Sequence, residues 1–386
     1  MATKQINDIH VAEKLSRTFR DVLYADTIWI PGVTFTEAYA EPGVGKIYVN
    51  KLEKTNSAPK TPGQDFTDTE GETNQVAINL NNSFDKSEKV RRVTMAQLHG
   101  DETLQAETFD KVLSSNREDW NLAMTAKVVD EAEVYSDVDE INADNLKEKV
   151  ISMRTKLRKR KIRPSFMIVS PEVYGAMLDF KGKEFTPNSN QEAFDRGIVG
   201  SFLGITVIEA NNFDENEAKY RDASDNEQTV DLTDKEIIMG RYQDIANVVN
   251  LEMARLVDSE LFNGLKAQTE LVAGFGILDS ERVLLKEYWT EIKDLTLTSV
   301  DGTESGDTKI TIAEDPLFDN TKYYYETNAD ENELTDVSLN DALTGFTEWD
   351  GEADLTITDD HYIQVVEVNK DGKALAKGSV QVNTKA

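Results

Sequence analysis

Residues 164–180 read PSFMIVSPEVYGAMLDF. Phe166 to Val169 is an unbroken apolar run of strand length. Ser170 then offers a side-chain oxygen suited to a helix N-cap, and Pro171 has the fixed φ of a first helical residue. Val173, Met177 and Leu178 follow at helical spacing. A buried strand is therefore succeeded at once by a helix. Downstream, GSFLGITVIEANNF (200–213) places a second buried strand, Ile205 to Ile208, after a glycine-marked turn. This alternation predicts an α+β or α/β core. Upstream, residues 144–162 predict a helix that starts at Asp144 or Asn145 and stops before Arg163-Pro164, because the residue before a proline avoids the helical region. Residues 146–163 (LKEKVISMRTKLRKRKIR) hold 9 Lys and Arg against Glu148 alone, a net +8.

Farther upstream, residues 102–132 predict one long helix, with a local interruption expected at Ser114-Ser115-Asn116. Phe109, Val112 and Leu113 share one face, which Trp120, Ala123, Met124 and Val128 continue. Some thirty residues span roughly 45 Å, the length of a structural spine. Ile47 and Val49, and later Val76, Ile78 and Leu80, alternate with polar residues at strand period. The 51–74 segment between them (KLEKTNSAPKTPGQDFTDTEGETN) is nearly devoid of apolar residues. Together these predict two strands of a long protruding hairpin, which needs a surface to rest on because a lone hairpin is marginal in water. Val11, Leu15, Phe19, Val22 and Leu23 mark an amphipathic helix over 10–25, docked on its own domain or lying as an arm on a neighbour.

Residues 211–234, with 8 Asp and Glu against 2 Lys and Arg, read as a solvated inserted loop. Short apolar runs at 237–239, 245–251, 271–275 and 283–285 are strands whose order the sequence does not give. Beyond residue 290 the texture changes. Leu295/Leu297, Ile310/Ile312, Tyr323/Tyr325, Leu355/Ile357, Ile363/Val365 and Val380/Val382 alternate with polar residues between Asp-Gly and Ser-Gly turns. Such spacing predicts a small β-sandwich of immunoglobulin-like type, without the Cys…Trp…Cys hallmark.

Composition narrows function by exclusion. The 386 residues carry 42 Lys and Arg against 72 Asp and Glu, a net −30, and no cysteine. Disulfides, Cys-ligated zinc, iron–sulfur clusters and a thiol nucleophile are thereby ruled out. His10, His99 and His361 lie far apart, which argues against a histidine metal site. The longest apolar stretch, Leu271 to Leu278, is far shorter than the roughly 20 residues of a membrane span. MATKQINDIH lacks the apolar core of a secretory signal. Gly43-Val44-Gly45-Lys46 fails the phosphate-loop pattern, since Ile47 stands where a hydroxyl residue is required. The acidic groups around 137–140, 214–217 and 330–333 lack the EF-hand frame and read as solvated surface. No Ser–His–Asp arrangement or GxSxG is present. The sequence therefore predicts no enzyme, no cofactor and no metal. The negative balance opposes nucleic-acid or anionic-lipid binding in general. Residues 292–386 hold 7 Lys against 21 Asp and Glu, a net −14. The basic helix is accordingly read as pairing with acidic surface on its own or a neighbouring subunit.

The order of parts is amphipathic arm, polar hairpin, long helix, then a mixed core with PSFMIVSPEVYGAMLD and GSFLGITVIEANN. Over residues 1–288 this resembles the major capsid proteins of tailed bacteriophages with the HK97-type fold. The resemblance implies an α+β chain divided into an N-terminal arm (1–30), an extended hairpin loop (31–95), a spine helix of the peripheral domain (96–140), an axial and remaining peripheral domain (141–289), and the immunoglobulin-like sandwich (290–386). It implies self-assembly into hexamers and pentamers of an icosahedral head that encloses double-stranded DNA without sequence-specific binding. Scaffold, portal and decoration proteins would be further partners. Assembly would occur in the host cytoplasm, giving a virion component with no membrane contact. Inter-subunit contacts are expected from Val11, Leu15 and Phe19 on the arm, Lys51, Lys54 and Lys60 on the loop, and Arg158, Lys159, Arg160 and Lys161 on the basic helix. No lysine–asparagine cross-link is expected. The acidic terminal domain is expected to face outward and to be removable by truncation between Leu285 and Trp289. An encapsulin-like compartment shell is the alternative reading. An acidic surface or adhesion protein and an enzyme with an accessory β-sandwich stand behind it.

Overall fold

The computed structural model describes residues 28–29, 45–52, 73–91, 101–180, 182–187, 198–210, 213, 216–258, 264–318 and 321–385. The chain divides into two compact units. One comprises Met1–Glu133 with Asn142–Leu285, the other Val134–Ile141 with Lys286–Ala386.

In the first unit, β1 (Lys46–Leu52) and β2 (Thr73–Asn79) pair antiparallel. Ile47 faces Ile78 and Val49 faces Val76, so the two alternating runs put their apolar residues opposite one another. The tip between them lies outside the described residues. The chain turns at Leu80-Asn81 into β3 (Asn82–Arg91), which pairs with the 14-residue strand Gly264–Ile277. That strand pairs in turn with Ile245–Asp258, with a register shift between Leu251 and Met253. The runs at 245–251 and 271–275 are thus parts of one long hairpin.

Helix α1 (Asp101–Glu131) has 31 residues and continues without a break through Ser114-Ser115-Asn116. The expected interruption is absent because Asn116 finds partners outside the helix. Fully buried, it donates to Thr269 Oγ1 at 2.7 Å and to Phe84 O at 3.4 Å. Trp120, Ala123, Met124, Thr125, Ala126 and Val128 are all buried, so the C-terminal half of α1 is covered on more than one face. Trp29 adds to this cover. Its Nε1 donates to Thr125 Oγ1 at 3.2 Å and its ring stands edge-on to Phe166. Ile28 and Trp29, read from sequence as the end of the arm, are core residues of this unit.

The mixed sheet behind the opening motif includes, as adjacent strands, Lys235–Gly240, Phe166–Val169, Ile205–Glu209, Ile198–Phe202 and Phe185–Pro187. Phe166–Val169 is fully buried and runs parallel to Ile205–Glu209. Helix α2 (Leu146–Lys159) precedes it and α3 (Pro171–Asp179) follows. As the sequence indicated, Ser170 caps α3, its Oγ accepting from Val173 N at 3.3 Å, and Pro171 is the first helical residue. The polar run 211–234 is not simply a solvated loop. Ala218–Arg221 and Glu227–Val230 form a hairpin, and Ala218, Tyr220 and Leu232 are buried. Their period-2 alternation was hidden in the sequence by the acidic residues around it.

The second unit is built of two sheets. One contains Lys293–Asp294, Ala374–Gln381, Tyr362–Val368, Lys322–Asn328 and Thr347–Trp349; the other contains Leu297–Asp301, Asp307–Ile312 and Leu355–Thr356. Ile363 and Val365 of the first sheet share a core with Leu297, Ile310 and Leu355 of the second. Trp349 belongs to that core, its Nε1 donating to Ala353 O at 2.9 Å. On the opposite face, Val366 and Val368 pack with Val337 and Phe346. The segment Val134–Ile141, expected at the end of the spine, is part of this unit: Val138 packs with Phe318 and Leu375, and Trp289 N donates to Val138 O at 3.1 Å.

Candidate subunit-contact surface

The basic helix is oriented by its apolar positions. Leu146, Val150, Met153 and Leu157 recur at steps of four, three and four, and all are fully buried. Arg154, Arg158 and Lys159 are held on the solvent side. Beyond α2 the chain turns sharply. Ile162 N donates to Leu157 O at 3.0 Å, and Lys161 takes a φ of +66°, the left-handed conformation that usually closes a helix through glycine. Its side chain is exposed.

Lys147 pairs with Glu184 at 2.5 Å, and from residue 154 to residue 161 the cations sort into two groups. Lys156 and Arg160, one turn apart, converge on Glu133: Lys156 Nζ lies 2.6 Å from Oε1, and the Arg160 guanidinium grips both carboxylate oxygens. Arg160 also donates to Glu281 O at 2.8 Å. Burial alone would push the Glu133 carboxyl up; the hydrogen bonds from Arg160 and Lys156 outweigh it and hold the group below its ordinary value. The second group is Arg154, Arg158, Lys159 and Lys161, which are exposed and form no ion pair among the described residues. Arg160 is thus engaged on its own chain, whereas Arg158, Lys159 and Lys161 are left as an open cationic face. Exposed Ile151 lies on the same helix.

The other expected contacts fall differently. Lys51 is on β1, its backbone opposite Asn74. Lys54 and Lys60 on the loop, and Val11, Leu15 and Phe19 on the arm, lie outside the described residues. At the described base of the hairpin, Tyr48 is 59% exposed with Lys46 Nζ 5.7 Å above its ring, while Ile47 and Val49 turn inward. One face of the hairpin is therefore committed to the unit and the other presents an amphipathic patch. Among the described residues, no group of three or more His, Asp or Glu side chains is placed to hold a metal ion, and no helix is long and apolar enough to cross a membrane.

No family model and no curated protein matches this sequence. Solved structures do match in fold. The capsid structure of the cyanophage P-SCSP1u is 11% identical with a TM-score of 0.50, over 67% of this chain and 86% of that chain. A structure from Gordonia phage Cozz is 12% identical at 0.49, over 69% and 87%. The virus-like particle from Pyrococcus furiosus is 11% identical at 0.45, over 72% and 99%. The likeness to the first shows the fold: a mixed α+β chain of the HK97-like capsid type.

Proposed function

We propose that this chain is the major capsid protein of a tailed bacteriophage, assembling into hexamers and pentamers of an icosahedral head around double-stranded DNA. The observation that carries the reading is the fold shared with the cyanophage capsid structure. The surface described above supports it. A cationic face with no ion-pair partner among the described residues, on a chain of net −30, suits an acidic surface on another copy. A hairpin with one face packed and the other exposed gains buried area when it lies on a neighbour. Each exposed pair contributes only about 0–1 kcal/mol, but repetition through a closed shell multiplies modest contacts. The acidic balance lets a shell confine DNA without gripping it.

In this reading the arm residues Val11, Leu15 and Phe19 and the loop residues Lys51, Lys54 and Lys60 also meet neighbouring subunits. Scaffold, portal and decoration proteins are the further partners, and the finished virion is the protein's location. The second unit is an immunoglobulin-like surface module. The test is charge reversal of the open face. Arg158→Glu with Lys159→Glu should lower the yield of assembled particles by about tenfold or more, because a small loss at each contact is multiplied through the shell. Circular dichroism should stay unchanged. Parental assembly by this variant would remove the basic face from the proposal.

A further inference from the structure

We propose that the hairpin formed by Ala218–Arg221 and Glu227–Val230 is a latch that sets the direction in which β1 and β2 leave their unit, and that its release lets them swing about Leu80-Asn81. The joint has two unlike sides. On one side the root is packed: Ile47 and Leu80 meet Val248, and Val49 and Ile78 meet Ala246. The backbone comes so close there that a Cβ on Gly274 would lie 2.5 Å from Asn79 O. On the other side the root is held by side-chain amides against the latch tip. Asn79 Nδ2 donates to Ala223 O at 2.7 Å, Asn81 Nδ2 donates to Asp222 O at 2.6 Å, and Asn82 Oδ1 accepts from Arg221 N at 2.8 Å.

The tip is built to present those groups. Asp222 Oδ1 accepts from Ser224 N at 2.8 Å and Asn226 N at 2.9 Å, while Oδ2 accepts from Gln228 Nε2 at 2.8 Å. The stem is fastened to α1: Tyr220 Oη donates to Asp130, and Lys127 Nζ stands 4.9 Å from the Tyr220 ring centroid. The latch therefore ties the direction of β1 and β2 to the long helix. Between tip and root lies a cavity of about 100 Å³, lined among others by Asn79, Asn81, Lys127, Glu131 and Asp222. Polar and apolar atoms both line it, and it is large enough for water. The Asn79–Ala223 bond is exposed, and hydrogen bonds that solvent can reach exchange for water at little net cost, whereas the apolar side has no such substitute. Opening therefore begins at the latch.

The chain has no cysteine, so exposed Ala77 and Glu118 can be replaced by cysteine and spin-labelled without background. Double electron–electron resonance on the full, dissociated chain should give one distance. Asn81→Ala with Asn82→Ala should add a second population above about 10%. Replacing residues 222–226 by a tight turn, which leaves Tyr220 in place, should do the same and decides the matter if the asparagine variant does not fold. A folded latch variant that keeps the parental single distance overturns the proposal. The measurement needs no shell, so its outcome is independent of the capsid reading.

Discussion

Glu367 is a fully buried carboxylate on the strand face that carries Ile363 and Val365. Its Oε1 accepts from Leu317 N at 2.8 Å, while Oε2 has no hydrogen-bond partner. Burial raises its pKa, and the bonds from Thr321 and Leu317 offset this only in part. Because the folded value lies above the unfolded one, the stability linked to this group is fully present below about pH 4.5 and is lost as pH rises through the folded value. Glu367→Gln removes the charge at nearly constant shape. It should raise the stability of the second unit at pH 7 by about 1 kcal/mol, with the gain vanishing toward pH 4. Thermal unfolding across that range checks it. Glu133 has the opposite sign: its pairs with Arg160 and Lys156 contribute above about pH 4.5 and fade as pH falls. The open face on α2 was legible as a charge excess, but not which cations belonged to it. That depended on Glu133, which is 27 residues from Arg160 and is brought beside it only by the fold.

At the scale of elements, local pattern was informative wherever burial follows a single period. The 164–180 motif shows this: a four-residue apolar run became a strand, and a serine before a proline became a capped helix start. The pairing of β1 with β2 follows from two alternating runs of like phase. Pattern misled where a polar residue is satisfied at long range. Asn116 resembles a helix breaker in sequence, yet its amide bonds a strand residue 153 positions away. Asn116→Ala leaves Thr269 Oγ1, itself buried, without that partner. We expect a loss of about 1–3 kcal/mol in urea unfolding with α1 still helical; no loss would mean that the contact is incidental. The 218–230 hairpin escaped for a related reason. Its burial partners lie on α1, and its own composition reads as surface.

For the whole molecule, the change of texture near residue 290 marked a separate body but not all its parts. Val134–Ile141 reaches that body from the middle of the chain. Lys286, fully buried, donates to Asp139 O at 2.5 Å, and Val138 is covered by Phe318 and Leu375. The expectation of simple removal at Leu285 to Trp289 therefore needs correction, because the cut strips the cover from Val134 and Val138. We expect that truncation to yield aggregating protein. The same truncation with residues 134–141 replaced by a Gly/Ser linker should be soluble by size-exclusion chromatography. Equal solubility of both would show that the segment does not depend on its unit.

The proposed self-association is motivated by a hairpin packed on one face and by exposed cations of α2 that form no ion pair among the described residues. Electron microscopy of the purified full chain over a concentration series tests this most directly. Closed shells of uniform diameter are the predicted result. A monodisperse single chain at every concentration, with no rings or shells, would contradict it.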